Sequence, residues 1–383
     1  MTLPVWFLLQ LFAGHLVPAA SSRPAPRFEA QTIDRSVSIG YGLAIGDVDG
    51  DGRPDILLAD KKAFVWYRNG DWKRFVLADS LTVHDNVCIA ARDLDGDGKV
   101  EVAVGAQWNP GETADAGQSG SVHYLERPAD PTQKWKAVPL HHEPTVHRMQ
   151  WVRWPGGSYA LVVAPLHGRG NKGGAGAGAR LLAYRFPPKG QGTWTIDTLE
   201  KTMHLTHNFD VVETGPEAGI YLAGKEGIAR IPLSSAADRH KDSARLLTGA
   251  GAGEVRLAVA GRWMAAVRPM HGDQLVVYRK SAAEALLLDD GLKEGHALAL
   301  ADLAQTGTEQ VVAGWRVPNS EGKVGIRLYT AADKEGTRWT ATWIDENGMA
   351  CEDLKVADLD GNGRPDIIAS GRATHNLVIY WNR

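Results

Sequence analysis

Short runs of alternating apolar and polar residues recur along the chain. Each ends in an acidic, glycine-rich turn and resumes as a compact apolar run. Three copies align directly: Gly42-LAIGDVDGDGRPDILLAD, Val87-CIAARDLDGDGKVEVAVGA and Leu354-KVADLDGNGRPDIIAS. Period-2 alternation, a turn and a short apolar run predict a strand–turn–strand unit. His296-ALALADLAQTGTEQVVAGW keeps the shape with an eroded turn, and looser copies begin near His147, His207 and Glu254. The repeats therefore start near residues 41, 86, 147, 207, 254, 296 and 352, about 52 residues apart on average. That period fits a four-stranded propeller blade.

A third strand follows in most copies, rich in aromatics, as in Phe64-VWYRNG, Leu181-LAYRF and Leu377-VIYWN. A fourth begins at Trp72, Trp135, Trp194 and Trp339. The last copy stops after its third strand. Arg27-FEAQTIDRS resembles Arg338-WTATWIDEN, so an N-terminal strand is expected to complete the last blade. Closure of this kind removes open sheet edges. The expectation is an all-β, seven-bladed β-propeller of four-stranded blades, one domain over 27–383, with the ring closed by the N-terminal strand.

Composition narrows the partners. The 383 residues carry a net charge of −3 with no Lys/Arg block, which argues against nucleic acid. Val5 to Val17 is an apolar run too short to span a bilayer, followed by Ala19-Ala20-Ser21-Ser22. It reads as a signal peptide over 1–21, although no Lys or Arg precedes it; the other reading is a buried N-terminal segment. A secreted or periplasmic protein is expected, and no later segment is apolar enough to span a membrane. Cys88 and Cys351 fall on inner strands with a blade between them, so two buried free thiols are favoured over a disulfide.

The acidic turns carry candidate metal chemistry. In the first, Asp47, Asp49, Asp51 and Asp55 recur at positions 1, 3, 5 and 9, with the Arg53 carbonyl at position 7. The second offers Asp93, Asp95, Asp97 and Glu101 with the Lys99 carbonyl. The third offers Asp358, Asp360, Asn362 and Asp366 with the Arg364 carbonyl. Calcium takes six to eight hard oxygens, which such turns can present to one centre. The alternative is a metal-free Asx turn. About three structural Ca²⁺ sites are expected, and none at Asp302, Thr306 and Glu309. These turns and their strands resemble the FG-GAP or VCBS repeats of β-propellers.

A second pattern lies six residues before the first Asp of each turn, where the innermost strand begins. The residues there are Tyr41, Val87, Arg148, His207, Glu254, His296 and Glu352, with His147 beside Arg148. The second strand returns to the same mouth with Lys61, Trp108, His167 and Arg169, Lys225, Arg268 and His271, Trp315 and Arg316, and Arg372. Convergent imidazoles and carboxylates suit Zn²⁺ or another divalent metal, or acid/base chemistry. The bland reading is a wet channel lined by polar groups. The run Gly168-RGNKGGAGAGA is expected to be a mobile loop at this mouth, since it lacks the Lys-Ser/Thr of a phosphate-binding loop.

The series His147, His207 and His296, with His167 and Arg169, resembles the propeller domain of aldos-2-ulose (anhydrofructose) dehydratases. That resemblance implies β-elimination of water from a keto-sugar, with His207 and His296 as ligand or base and Glu254 or Glu352 as partner. Those enzymes carry further domains after the propeller, whereas repeats fill this chain to its last residue, which puts the full activity in question. The expected function is a carbon–oxygen lyase acting on a sugar or polysaccharide. The rival is a non-catalytic propeller binding glycan or protein. Fold alone does not decide between them.

Overall fold

The computed structural model describes residues 25–187, 192–233, 244–248, 250–258, 262–279 and 284–383. The segment read as a signal peptide lies outside them. Among the described residues, twenty-eight strands form seven four-stranded antiparallel sheets arranged as the blades of a propeller. The innermost strands are Gly42–Gly46, Cys88–Arg92, Val146–Arg153, Thr206–Val212, Glu254–Leu257, Gly295–Ala301 and Cys351–Ala357. They define blades 1 to 7. The seventh blade is completed by Phe28–Asp34, which pairs antiparallel with the last strand, Asn376–Asn382. The ring therefore closes through the chain's N-terminal strand, as its likeness to Arg338-WTATWIDEN predicts.

Fourth strands also form in blades 4 and 5, at Ala244–Thr248 and Ala285–Asp289. Neither follows the Trp that marks those of blades 1, 2, 3 and 6. Among the described residues there are seven buried apolar clusters, one at each blade–blade interface. Leu57 and Trp66 of blade 1, for instance, pack on Ile89 and Val102 of blade 2. Each blade thus buries both faces, which is why its second strand reads as a continuous apolar run. Cys88 and Cys351 are free, buried thiols. No helix among the described residues is long and apolar enough to cross a membrane.

The inner strands enclose a channel of about 700 Å³, with Arg148, Arg256, Lys355, Asp210 and Asp353 on its walls. The acidic turns leave these strands at one end, here the lower face. The histidine positions open them at the other, the upper mouth.

Candidate functional site

Four inner strands begin with a β-bulge, and each bulge holds a residue of the polar ring. The pairing register shifts between Val146 and Arg148, Thr206 and Phe209, Gly295 and Ala297, and Cys351 and Asp353. The intervening residues include His147, His207, His296 and Glu352. An unpaired extra residue re-aims its side chain out of strict alternation. Blades 1, 2 and 5 pair without a bulge at this level.

The aim is fixed by hydrogen bonds between blades. His147 Nδ1 donates to the His207 carbonyl (2.8 Å), His207 Nδ1 to the Gly253 carbonyl (3.0 Å), and His296 Nδ1 to the Glu352 carbonyl (2.6 Å). A carbonyl only accepts, so each Nδ1 carries the proton and each Nε2 keeps its lone pair. His271 joins them from the loop after the second strand of blade 5, with its backbone left-handed at φ 52°. Its Nε2 lies 2.6 Å from His207 Nε2. The nitrogens of His207, His271 and His296 come within 4.8 Å of one another. His147 stacks beside them, 4.6 Å from the His207 ring and 5.0 Å from Trp108.

His147, His271 and His296 are held neutral. Burial, then the positive charge of Arg148, pushes His147 well below the usual histidine range, and burial with Arg316 does the same to His296. His271 falls to about 2 through burial, His207 and Arg316. Protons therefore do not compete with a cation for these nitrogens near neutral pH. Two imidazoles with carbonyl-bound Nδ1 atoms and a third brought in by the neighbouring loop fit a divalent site.

The two glutamates stand behind this cluster. Glu254 Oε1 is 3.2 Å from His207 Nδ1, and its Oε2 accepts from Asn208 Nδ2 at 2.6 Å. Glu352 accepts Arg316 Nη1 (3.1 Å) and Arg372 Nη1 (2.9 Å). Both are buried. His167 and Arg169 lie elsewhere on the mouth. His167 is bridged to Leu205 and its backbone N–H donates to Thr145 Oγ1, while Arg169 and Arg180 both bind Glu143. The member of this cluster that the offset rule did not single out is His271. Its signal was its place at the end of a second strand.

On the lower face, three carboxylate groups converge: Asp47, Asp49 and Asp55; Asp93, Asp95 and Glu101; Asp358, Asp360 and Asp366. Position 5 behaves differently. Asp51, Asp97 and Asn362 accept the N–H of Arg53, Lys99 and Arg364 within the turn. Position 1 shapes the loop: Asp47 accepts from Gly50 and Gly52, both with φ above +80°, a region open to glycine. Position 9 opens the second strand and is buried. Burial pushes Asp55 up to about 7, against hydrogen bonds from Asn69 and Val48, and the neighbouring Asp49 and Asp47 push the same way. Burial likewise lifts Glu101 to about 7 and raises Asp366.

The eroded fourth turn is the control. Asp302 still accepts from Thr306 and Gly307. Position 9 here is Gln310, which opens the second strand. Gln310 Oε1 accepts the Ala304 N–H at 2.9 Å and is 2% exposed. Where position 3 is Ala304, the buried acid is replaced by a neutral amide that keeps the hydrogen bond.

Comparison with known proteins agrees with this geometry. Residues 36–104 match an FG-GAP-like repeat and residues 89–125 an FG-GAP repeat. No curated protein matches the sequence. A chain from the crystal structure of the mitotic checkpoint complex superposes with TM-score 0.60 at 11% identity, over 98% of this chain and 99% of that one. A chain from the mercury-soaked BBS1N–ARL6DN complex gives 0.59 at 13% identity over 94% and 98%, and one from the lead-soaked complex 0.56 at 13% over the same shares. Those likenesses speak to fold alone. The chain is a seven-bladed β-propeller in which residues 36–125 match FG-GAP-type repeats.

Proposed function

We propose that this protein is a metal-dependent carbon–oxygen lyase acting on a sugar or polysaccharide. Its upper mouth holds one divalent transition metal, of the Zn²⁺ kind, and its three lower turns hold structural Ca²⁺. The reading rests on one observation. The nitrogens of His207, His271 and His296 converge while the Nδ1 of His207 and His296 are bound to backbone carbonyls, a device that orients metal ligands. A cation there would polarise a substrate carbonyl and acidify the adjacent C–H. Arg316 and Arg372, held side by side by Glu352, offer donors to an oxygen-rich ligand. The apolar leader and the extracellular character of sugar polymers make export part of this proposal.

Metal analysis of the purified protein tests it. Calcium plus one further metal per chain is expected, the latter lost in His207→Ala and His296→Ala. Incubation with keto-sugars or uronates should raise the ultraviolet absorbance of a conjugated carbonyl. Calcium alone, indifferent to both substitutions, would instead favour a non-catalytic glycan- or protein-binding propeller.

A further inference from the structure

Elimination needs a base, and neither glutamate of the mouth is free to serve. Glu352 is committed to Arg316 and Arg372, and Glu254 lies on the Nδ1 side of His207, away from the converging nitrogens. His207, His271 and His296 face one another. His147 is buried and stacked.

One imidazole of this mouth is backed by a carboxylate and remains open. His204 lies in the connector from blade 3 to blade 4, three residues before His207, which limits the separation of their α-carbons to about 10 Å. Its Nδ1 is 2.7 Å from Glu226 Oε1, and its backbone N–H donates to the same oxygen at 2.8 Å. Glu226 sits in the tight turn between the second and third strands of blade 4, Gly219–Gly224 and Gly227–Pro232. Burial alone would raise the Glu226 carboxyl, but the two hydrogen bonds from His204 outweigh it and hold it below its ordinary range. Its Oε2 is buried without a hydrogen bond, so the carboxylate's polar contacts are spent on His204. The connector is pinned from the glycine-rich loop. Asn171, fully buried, donates to the His204 carbonyl (2.8 Å) and to that of Ala177 (3.0 Å). The His204 side chain is 39% exposed, and its Nε2 has no partner among the described residues.

We propose that His204, oriented by Glu226, is the proton-transfer group of this mouth. The inference rests on the elimination reading above. A carboxylate on Nδ1–H leaves the Nε2 lone pair free to take a proton and stabilises the imidazolium that forms. Nε2 takes the proton from the carbon next to the substrate carbonyl. That C–H electron pair becomes the new C=C bond as the neighbouring C–O bond breaks. The imidazolium returns its proton to the departing hydroxyl, so water leaves and His204 is restored. No oxidant or reductant is consumed.

The test compares the full-length protein with His204→Gln and Glu226→Gln. Both variants should keep the wild-type metal content, which separates them from the ligand substitutions. With D-fructose and D-galacturonate as probes, His204→Gln should lose product formation and solvent deuterium uptake at the α-carbon about 100-fold, in kcat rather than KM. Glu226→Gln should lose less and displace the pH profile. Independently of turnover, diethyl pyrocarbonate should modify wild-type His204 faster than in Glu226→Gln, and D-galacturonate should slow it. Turnover within twofold of wild type in His204→Gln would overturn the proposal. So would modification indifferent to both Glu226 and the sugar. A metal-loaded wild type inert to every probe overturns the elimination reading itself, and the modification result then decides alone whether the pair is a reactive group within a sugar site.

Discussion

The two ends of the same inner strands solve opposite electrostatic problems. At the lower face, three turns gather carboxylates with one buried acid each, and burial lifts Asp55 and Glu101 to about 7. At the upper mouth, burial and nearby arginines hold imidazoles neutral. The first arrangement is costly until a hard cation arrives. The second costs little and leaves lone pairs waiting for a softer one. The lower turns are local, built from nine consecutive residues each. The upper cluster is non-local, drawing on blades 4, 5 and 6 at once. Loss of one lower site should therefore weaken one blade, whereas loss of any upper ligand should undo the whole centre.

The largest expected effect follows from that asymmetry. His271→Ala should take the upper metal from one per chain to none, read by elemental analysis after dialysis, with calcium content unchanged. A variant that retained the metal would mean that His271 is a bystander and that His147 completes the set.

Calcium removal should come next, and it acts on stability. One site saturated at 100 times its Kd contributes about 2.7 kcal/mol, so chelating three should lower Tm by on the order of 10 °C or more. The effect should depend on pH with a definite sign. Asp55 and Glu101 have folded-state values raised to about 7 against ordinary values near 4. Without calcium the folded protein therefore binds more protons than the unfolded chain, and its stability falls as pH rises from about 4 to 7. Calcium removes that penalty. The calcium-induced rise in Tm should be larger at pH 8 than at pH 5, and an equal rise at both would mean that the buried acids do not face the ion.

Smaller still is the effect of the groups behind the ligands. Glu254→Gln keeps the shape but replaces the carboxylate beside His207 with a neutral amide, and should lower upper-metal affinity by roughly 10- to 100-fold without abolishing binding. Competition with a metal-sensitive chelating dye would measure it. No change would reduce Glu254 to a partner of Asn208 and of Arg256, whose Nη2 lies 3.7 Å from its Oε2.

The sequence made the local half of this comparison easier to read. The acidic turns announce themselves because all their ligands lie within nine residues, and the blade repeat follows from them. The histidine ring emerged only through a fixed offset from those turns. That rule reached His207, His296, Glu254 and Glu352 because bulged and unbulged strands start at the same level. It could not show the bulges, which exist only in the pairing of two strands, nor weigh His271, whose approach depends on a left-handed loop residue. Blades 4 and 5 hid their fourth strands because no Trp opens them.

The fourth turn supplies the finest prediction. Asp302 and Asp358 each accept backbone N–H groups of their own turn, two for Asp302 and three for Asp358, so truncation should cost either turn about 1 kcal/mol in lost hydrogen bonds. Only Asp358 also stands with Asp360 and Asp366 in a group fit for a cation. Asp302→Ala should therefore shift Tm by the same small amount with calcium or with chelator. Asp358→Ala should match that shift in chelator and exceed it in calcium. If the two variants behaved alike in calcium, the carboxylates of blade 7 would be a turn motif and nothing more, and the contrast between Asp366 and Gln310 would lose its electrostatic meaning.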